Sequence, residues 1–243
     1  MHGEHNDGYK QALQTHLDHA QYHGYPTYVI DRTILDGLWT KEAALLEMML
    51  EALSKPKSER LRWIFCLCAT GFSERRTFVL YTKDWNGLNN GVFMLRVSEW
   101  SVSLLSSIVA YRTFKPEEDL PFTEQSAMEK VLELDQYKDG AVECPPRWFN
   151  SYPNDGDESN INFHHAPGQL LVHFAGIEDK SKAIGEWVKK LETDREKWEM
   201  PLSRTNYEQR IAEFWDGFES GSEMGQDAGE QPQRRSRRKA PRV

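Results

Sequence analysis

The sequence lacks a long apolar run and is poor in cysteine. None of its 243 residues lies in a stretch close to the roughly 20 apolar residues that a membrane-spanning helix needs. The segment Met1–Lys10 has no apolar signal core either. We therefore expect neither a signal nor a transmembrane anchor in this sequence. The three cysteines, Cys66, Cys68 and Cys144, are too few for a disulfide framework, and we expect them to act as small apolar residues.

The sequence also lacks an excess of basic residues. The 30 basic and 38 acidic residues give a net charge of −8, which argues against a nucleic-acid partner. Residues 220–243 contain almost no apolar side chains and include the basic run RRSRRK near their end. They predict a disordered tail that follows a single folded domain over residues 1–219. The basic run is either simply solvated or contacts an anionic surface.

Apolar residues, which make up 39% of the chain, follow two alternating patterns. Segments with helical spacing, such as 41–53 and 98–111, alternate with short apolar runs of strand length. This alternation predicts an α/β fold with a Rossmann-like, mainly parallel sheet and helices on both of its faces. The predicted strands are centred on Tyr28, Ile64, Val79, Phe93 and Val172.

A polar segment rich in asparagine and glycine lies between two of these strands. Glycine allows close approach of the backbone to a ligand, and short Asn and Asp side chains offer donors and acceptors. The segment is therefore suited to a hydroxyl-rich ligand, although a plain hairpin turn has the same composition. Its candidate binding residues are Asp84, Asn86, Gly87, Leu88, Asn89, Asn90 and Gly91.

Four ordered parts of the chain resemble the fungal galactosyl/mannosyltransferases of glycosyltransferase family 34, whose plant members are xyloglucan xylosyltransferases. They are His19–Leu50, Tyr81–Ser101, Phe122–Leu132, and Pro145–Pro153 together with Gly168–Gly176. The resemblance implies a GT-A-like domain over residues 1–219. It also implies retaining transfer of a hexose from a nucleotide sugar, UDP-galactose or GDP-mannose, to a glycan acceptor. Mn²⁺ as cofactor and the Golgi lumen or membrane as location follow from the same resemblance.

The resemblance assigns donor-side roles to residues outside the polar segment. Trp39 and Lys41 match a Trp-x-Lys pair near the nucleotide, and Gly176 lets the backbone approach the diphosphate. Phe149 and Asn150 would line the cleft.

Two further roles concern catalysis and the metal. Glu124 and Gln125 match an acidic residue and a glutamine that face sugar hydroxyls, although Glu124 could simply complement a helix dipole. His173 matches a metal ligand, and the alternative is a histidine whose hydrogen bonds are satisfied in the core. Because the carboxyl ends of strands gather at one edge of an α/β sheet, we expect Asp84–Gly91, Glu124–Gln125 and His173 to converge.

One feature of the family is missing from this sequence. Its members carry an Asp-x-Asp after a Trp-Ile-Phe/Trp strand, and the two carboxylates hold a divalent metal. Here the strand is present as LRWIF, but the chain has no aspartate between Asp36 and Asp84. We therefore expect an incomplete GT-A domain with weakened Mn²⁺ binding and doubtful transfer. The alternative is a catalytically dead carbohydrate-binding or scaffolding protein, with a homologous glycosyltransferase as a possible partner.

Overall fold

The described part of the protein combines one four-stranded sheet with helices. The protein is represented by a computed structural model that describes residues 6–66, 77–154 and 161–220. The strands of the described chain are β1 (Trp63–Cys66), β2 (Val79–Asp84), β3 (Gly87–Arg96) and β4 (Ala141–Glu143). Its α-helices are α1 (Asp7–His23), α2 (Trp39–Ser54), α3 (Glu99–Phe114), α4 (Glu124–Leu132), α5 (Lys180–Thr193), α6 (Arg195–Trp198) and α7 (Tyr207–Ser220).

The sheet has the strand order β1-β3-β2-β4. β3 is antiparallel to both β1 and β2, whereas β2 and β4 are parallel. Strands β1, β2 and β4 therefore run in one direction, as predicted, and β3 runs against them. The predicted mainly parallel sheet is wrong in this respect, because the two residues Trp85 and Asn86 join β2 to β3 and so short a connection allows only antiparallel pairing.

Alternating side chains of the central strands build two separate cores, one on each face of the sheet. Val79 and Phe93 point into a first core, together with apolar residues of α2, α3 and α4. Leu80 and Met94 point into a second core, which is covered in part by Phe214 of α7. The prediction of an α/β sheet with helices on both faces is thus confirmed.

Two predicted strands lie outside the sheet. The segment around Tyr28 forms no strand, and its Tyr28 and Val29 side chains are exposed, so it has no sheet face to pack against. Val172 forms only an isolated bridge with Ser151. This ladder cannot extend because the next residue, Tyr152, pairs with His164 instead.

The predicted tail lies almost wholly outside the described residues. Ser220 is the last residue of α7, and residues 221–243 are not described, so the predicted tail and the 1–219 boundary stay predictions. Within the described ranges, no helix combines the length and the apolar character needed to cross a bilayer.

Packing of α4 against β3 predicts a clear difference between two substitutions. Met128 is buried in the first core, so Met128→Ala should lower the free energy of unfolding by about 2–5 kcal/mol through lost burial and the cavity left behind. Leu134, just after α4, is 47% exposed, and Leu134→Ala should change it by less than about 0.5 kcal/mol. Urea denaturation followed by circular dichroism measures both. Equal effects would contradict the assigned core.

Candidate functional site

A bulge in β3 shapes the candidate site. Leu80 pairs with Met94 and Thr82 pairs with Asn89, so two steps along β2 correspond to five steps along β3. The extra residues, centred on Asn90 and Gly91, leave the regular ladder and turn their backbone groups toward other partners. Bulges of this kind often re-aim side chains next to functional sites. The predicted polar loop is therefore mostly strand, with only Trp85 and Asn86 forming the turn.

Asp84, Asn89 and Tyr152 form a buried hydrogen-bonded network beside this bulge. The amide of Asn89 donates to Asp84 Oδ2 at 2.9 Å and to the Tyr152 hydroxyl at 3.0 Å, and that hydroxyl donates to Asp84 Oδ2 at 3.0 Å. Asn89 Oδ1 accepts from the Gly91 backbone N–H at 2.9 Å. Burial, followed by the negative charge of Asp84, raises the pKa of Tyr152 and keeps it protonated as a donor. The side chain of Asn89 thus forms its hydrogen bonds with other protein groups, and these bonds stabilise the bulge.

His173 packs against the same network. Its ring lies 5.6 Å from the Tyr152 ring in a stacked arrangement, and its Nδ1 is 2.7 Å from Asn150 Oδ1. Because Asn150 donates its own amide to Thr82 Oγ1 at 2.6 Å, its oxygen accepts from His173, and Nδ1 carries the proton. Nε2 then holds a free lone pair. Burial, with smaller effects of Lys180 and Lys41, lowers the pKa of His173 to about 4, so the ring is neutral near pH 7.

A group of charged side chains lies on the other side of the bulge. Lys41 Nζ donates to the Asn90 carbonyl at 2.7 Å and lies 3.3 Å from Glu42 Oε1 and 3.7 Å from Glu124 Oε1. The Asn90 side-chain amide donates to Glu42 Oε1 at 3.3 Å, and the Asn90 backbone N–H donates to Gln125 Oε1 at 3.2 Å. The bulge therefore joins α2, β3 and α4.

The start of α4 has an unusual backbone. Thr123, the residue before the helix, has φ 49° and ψ −117°, and it is the non-glycine residue with positive φ in the described chain. Such a conformation costs on the order of 1–3 kcal/mol and is often found at functional sites. Its hydroxyl donates to Glu124 Oε2. This contact fixes Glu124, which is buried, with Gln125 next to it.

The three predicted segments therefore meet at one place. Gly91 lies against His173, Asn90 contacts Gln125, and both residues belong to the bulge. Gly87 closes the turn with φ 101°, and a Cβ there would lie 2.6 Å from Glu129 Oε1, which accepts from the Leu88 N–H.

The other predicted residues differ in accessibility. Trp39, Leu88 and Phe149 are buried in the cores, so their rings and side chains offer no surface to a ligand in this state. Asn150 is also buried, where it holds His173. Asn86 is exposed at the turn, and Gly176, with φ 69°, lies at the surface with open space around it. Their contacts with substrate stay predictions.

The described residues do not fit a complete divalent-metal site. Both oxygens of Asp84 are engaged, Oδ1 by the Asn86 N–H at 2.7 Å and Oδ2 by Asn89 and Tyr152. That leaves Nε2 of His173, whereas hard divalent ions prefer several oxygen ligands. Within residues 6–66, 77–154 and 161–220, no group of three or more His, Cys, Asp or Glu side chains could hold a metal ion. The segment where the family places its Asp-x-Asp falls largely in residues 67–76, outside the described chain.

Sequence reasoning missed several residues of this junction. Glu42 lies in the same heptad-like stripe as Leu45, Met49 and Ala52, and a charge in an apolar stripe was a signal that could have found it. Trp85 lies inside the polar segment but is an exposed aromatic, with its ring 5.1 Å from Tyr152. Tyr152 itself had no signal beyond its place after Asn150.

Comparison of the sequence with known proteins finds a similar family. Residues 70–183 match the model of the galactosyl transferase GMA12/MNN10 family, which is glycosyltransferase family 34. This part of the chain is similar to family 34. The resemblance seen in the sequence is confirmed, and the matched residues include the bulge, Glu124, Gln125 and His173.

Individual relatives are similar over less than half of the chain. An uncharacterised α-1,2-galactosyltransferase of Schizosaccharomyces pombe is 32% identical over 114 residues, which are 43% of this chain and 32% of that protein. A probable glycosyltransferase 4 of rice, Oryza sativa subsp. indica, is 29% identical over 118 residues, 40% of this chain and 24% of the relative. The chain thus spans a third or less of the length of these curated relatives.

A solved structure confirms the GT-A-like fold of this chain. It is the crystal structure of a glycosyltransferase involved in the glycosylation of the major capsid of PBCV-1. The two folds superpose with a TM-score of 0.56 over 76% of this chain and 96% of that one, at 11% sequence identity. At this identity the likeness concerns the fold alone.

Close contact between Gly91 and His173 predicts that the glycine is required. A Cβ at position 91 would lie 2.5 Å from Cε1 and 2.9 Å from Nε2 of His173, whose ring is fixed by Asn150 and Tyr152. Gly91→Ala should therefore lower the free energy of unfolding by about 1–3 kcal/mol. Thermal and urea unfolding measure it.

The matched control is Gly185→Ala in α5. Its Cβ would find its nearest neighbour, Gln11 Oε1, at 3.8 Å. This substitution should leave the stability unchanged or raise it by about 0.5–1 kcal/mol, as alanine does in helices. Tolerance of alanine at position 91 would show that His173 does not hold the position described.

Proposed function

We propose that this chain is a hexosyltransferase domain that binds a nucleotide sugar at the bulge and passes the hexose to a glycan hydroxyl with retention of configuration. UDP-galactose and GDP-mannose are the proposed donors. The observation that carries the proposal is the meeting of Asn90 and Gly91 with Lys41, Gln125 and His173. The match of residues 70–183 to the family 34 model supports the same class of reaction.

The geometry divides the junction into residues that hold the site and residues that meet a ligand. Asn89 and Asn90 are buried and engaged by protein groups, so in the proposal they position the bulge. Lys41, whose side chain is 27% exposed, is the cation available to an anionic diphosphate. Gln125, at the start of α4, is the amide available to sugar hydroxyls, next to Glu124.

Trp85 is the proposed platform for a sugar ring. It is 51% exposed at the tip of the β2–β3 hairpin, and its ring is held by Tyr152 at 5.1 Å and by Phe163 at 5.9 Å. A flat apolar ring that is fixed on one side and open to solvent suits the apolar face of a hexose. Tyr152, which packs against Trp85, belongs to the Asp84–Asn89 network, and this contact supports a platform at the rim of the proposed donor site.

The second candidate function is that of a binding or scaffolding protein without catalytic activity. It is favoured by one observation, the lack of a metal-binding cluster in the part of the chain that the structure describes. In this case a homologous glycosyltransferase is the proposed partner. For either function we propose the Golgi lumen or membrane as location, on the basis of family 34 alone.

Donor titration tests the proposal and separates the two functions. UDP-galactose or GDP-mannose should bind the full chain weakly, and Mn²⁺ should strengthen binding by less than about tenfold, because His173 and an engaged Asp84 are poor ligands for it. Isothermal titration calorimetry with and without Mn²⁺ measures this.

A transfer assay with the same donors gives the second readout. Slow hexose transfer supports the hexosyltransferase, and binding without transfer supports the scaffolding protein. Absence of binding by either donor would contradict the hexosyltransferase and leave the scaffolding protein. Micromolar, strictly Mn²⁺-dependent binding would show that another carboxylate completes a metal site.

Replacement of Trp85 tests the sugar platform. Trp85→Ala should weaken UDP-galactose binding by about two- to tenfold through lost contact with the hexose, while UDP, which has no hexose, should bind as before. Trp85→Phe should retain most of the affinity. Tyr22→Ala removes an aromatic ring that is 84% exposed on α1, and it should have no effect on either ligand. An equal loss for UDP and UDP-galactose would rule out stacking on the hexose.

A further inference from the structure

Glu42 is a buried carboxyl group with one oxygen unpaired. Its side chain is 0% exposed on α2, and Oε1 lies 3.3 Å from Lys41 Nζ and accepts from the Asn90 amide at 3.3 Å. Oε2 has no hydrogen-bond partner within the described chain. Buried polar atoms nearly always have a hydrogen-bond partner in native proteins, so the unpaired Oε2 of Glu42 needs a physical explanation.

The ionised form of Glu42 is unfavourable at this place. A buried carboxylate needs hydrogen bonds to both oxygens or a close cation to offset its loss of hydration. Lys41 supplies one ammonium group, and Glu124 competes for it from 3.7 Å. Burial first, and then the charge of Glu124, raise the pKa of Glu42 to about 7 against the opposing effect of Lys41.

The charged and titratable groups around Glu42 come from three elements. Lys41 precedes Glu42 on α2, and Glu124 faces it from α4. The Cys66 thiol of β1 also interacts electrostatically with the Glu42 carboxyl group. Burial raises the pKa of the Cys66 thiol, so this group stays neutral near pH 7. With Glu42 ionised, the group of Lys41, Glu42 and Glu124 carries a net charge of −1. With Glu42 protonated, the net charge is zero.

We propose that Glu42 is a positioning residue for Lys41 and Asn90 whose carboxyl group is only partly protonated in the free protein, and that binding of the anionic diphosphate of a nucleotide sugar at Lys41 draws a proton onto it. This inference rests on the proposed function. Its physical basis is that protonation of Glu42 leaves Lys41 opposed by Glu124 alone, and the ammonium group can then serve the diphosphate. By linkage, the anion must favour the protonated carboxyl to the same degree.

Proton uptake on binding is the direct test. The diphosphate of UDP-galactose is a diester whose charge is constant between pH 6 and pH 8, so a proton taken up in this range comes to the protein. Calorimetry of UDP-galactose binding with Mn²⁺ at pH 7, in buffers of different ionisation enthalpy, should show uptake of a fraction of one proton. Affinity should be about two- to tenfold higher at pH 6 than at pH 8.

Glu42→Gln is the matching variant. The amide keeps the shape of the protonated acid but does not titrate, so proton uptake and the pH dependence of affinity should both disappear. Glu51→Gln on the same helix is the control, because Glu51 is exposed and pairs with Lys55 at the surface. This variant should behave like the wild type. A residue with a merely structural role would change stability without changing proton uptake.

A second measurement needs no ligand. Because the folded-state pKa of Glu42 is above its unfolded value, the folded protein holds a proton that the unfolded chain has lost. The stability that Glu42 contributes is present at low pH and lost as the pH rises through about 7. The unfolding constant of the wild type relative to Glu42→Gln should therefore rise by at least about tenfold between pH 5 and pH 8.

The difference between the two proteins is the quantity to measure, since His19, His165 and His173 act in the opposite sense. Burial lowers the pKa of each to about 4, so they destabilise the fold as the pH falls below about 6.5. If Glu42→Gln does not fold, Glu124→Gln serves instead. It removes one negative neighbour and should move the pH transition of the unfolding constant to lower pH.

The outcomes separate this inference from the proposed function. UDP-galactose binding without proton uptake, or with equal uptake in Glu42→Gln, overturns the inference and leaves the proposed function intact. An unfolding constant whose ratio to that of Glu42→Gln is independent of pH overturns it as well. If the wild type binds neither UDP-galactose nor GDP-mannose at pH 6 or pH 8, the proposed function fails, and this inference fails with it.

Discussion

The arrangement of the site depends on the bulge in β3. If the register set by Leu80 and Met94 continued, the backbone groups of Asn90 would pair within the sheet. The extra residues free them, and Gln125 of α4 then accepts from the Asn90 N–H while Lys41 of α2 donates to its carbonyl. Asn90 thus connects two helices to the sheet, next to Gly91, which lies against His173. An antiparallel β3 inserted between parallel neighbours makes this possible, since the hairpin brings the bulge back beside the end of β2.

Buried polar groups hold this junction, and partly exposed groups at its rim remain for a ligand. The side-chain amide of Asn89 donates to Asp84 and Tyr152, and its oxygen accepts from the Gly91 N–H. Such satisfied networks specify one geometry, because every alternative leaves a buried donor or acceptor unpaired. The asparagines that make the polar segment conspicuous in the sequence are therefore support for the site. Lys41, Gln125 and Trp85, which show more surface, are the groups that the proposed function places against the donor.

The sequence predicted the elements better than it predicted their pairing. The helices from α2 to α4 and the strands at Ile64, Val79 and Phe93 follow from apolar periodicity, and the family follows from ordered motifs. The direction of β3 depends on a two-residue turn, whereas the sequence predicts a longer loop. The failure of Val172 to join a strand has a non-local cause. Tyr152, the residue after its bridge partner Ser151, pairs with His164 instead, and no local sequence pattern predicts that pairing. Of the site, the family's ordered motifs indicate Asp84–Gly91, Gln125 and His173, but their meeting does not come from a shared sheet edge, since Val172 lies outside the sheet. Glu42 and Tyr152 could not be placed without knowing what they face.

The way charge is balanced at Lys41 distinguishes two kinds of donor site. A divalent ion held by carboxylates presents a charge that hardly changes with pH once its ligands are ionised. A lysine between two carboxyl groups presents a charge set by whether one of them is protonated, and burial of Glu42 moves that choice into the neutral range. Within the described chain, the donor site proposed here has the lysine and lacks the metal-binding cluster. In the proposed site, protonation of Glu42 therefore adjusts the affinity for an anion, and the unpaired Oε2 of Glu42 is the observation that supports this proposal.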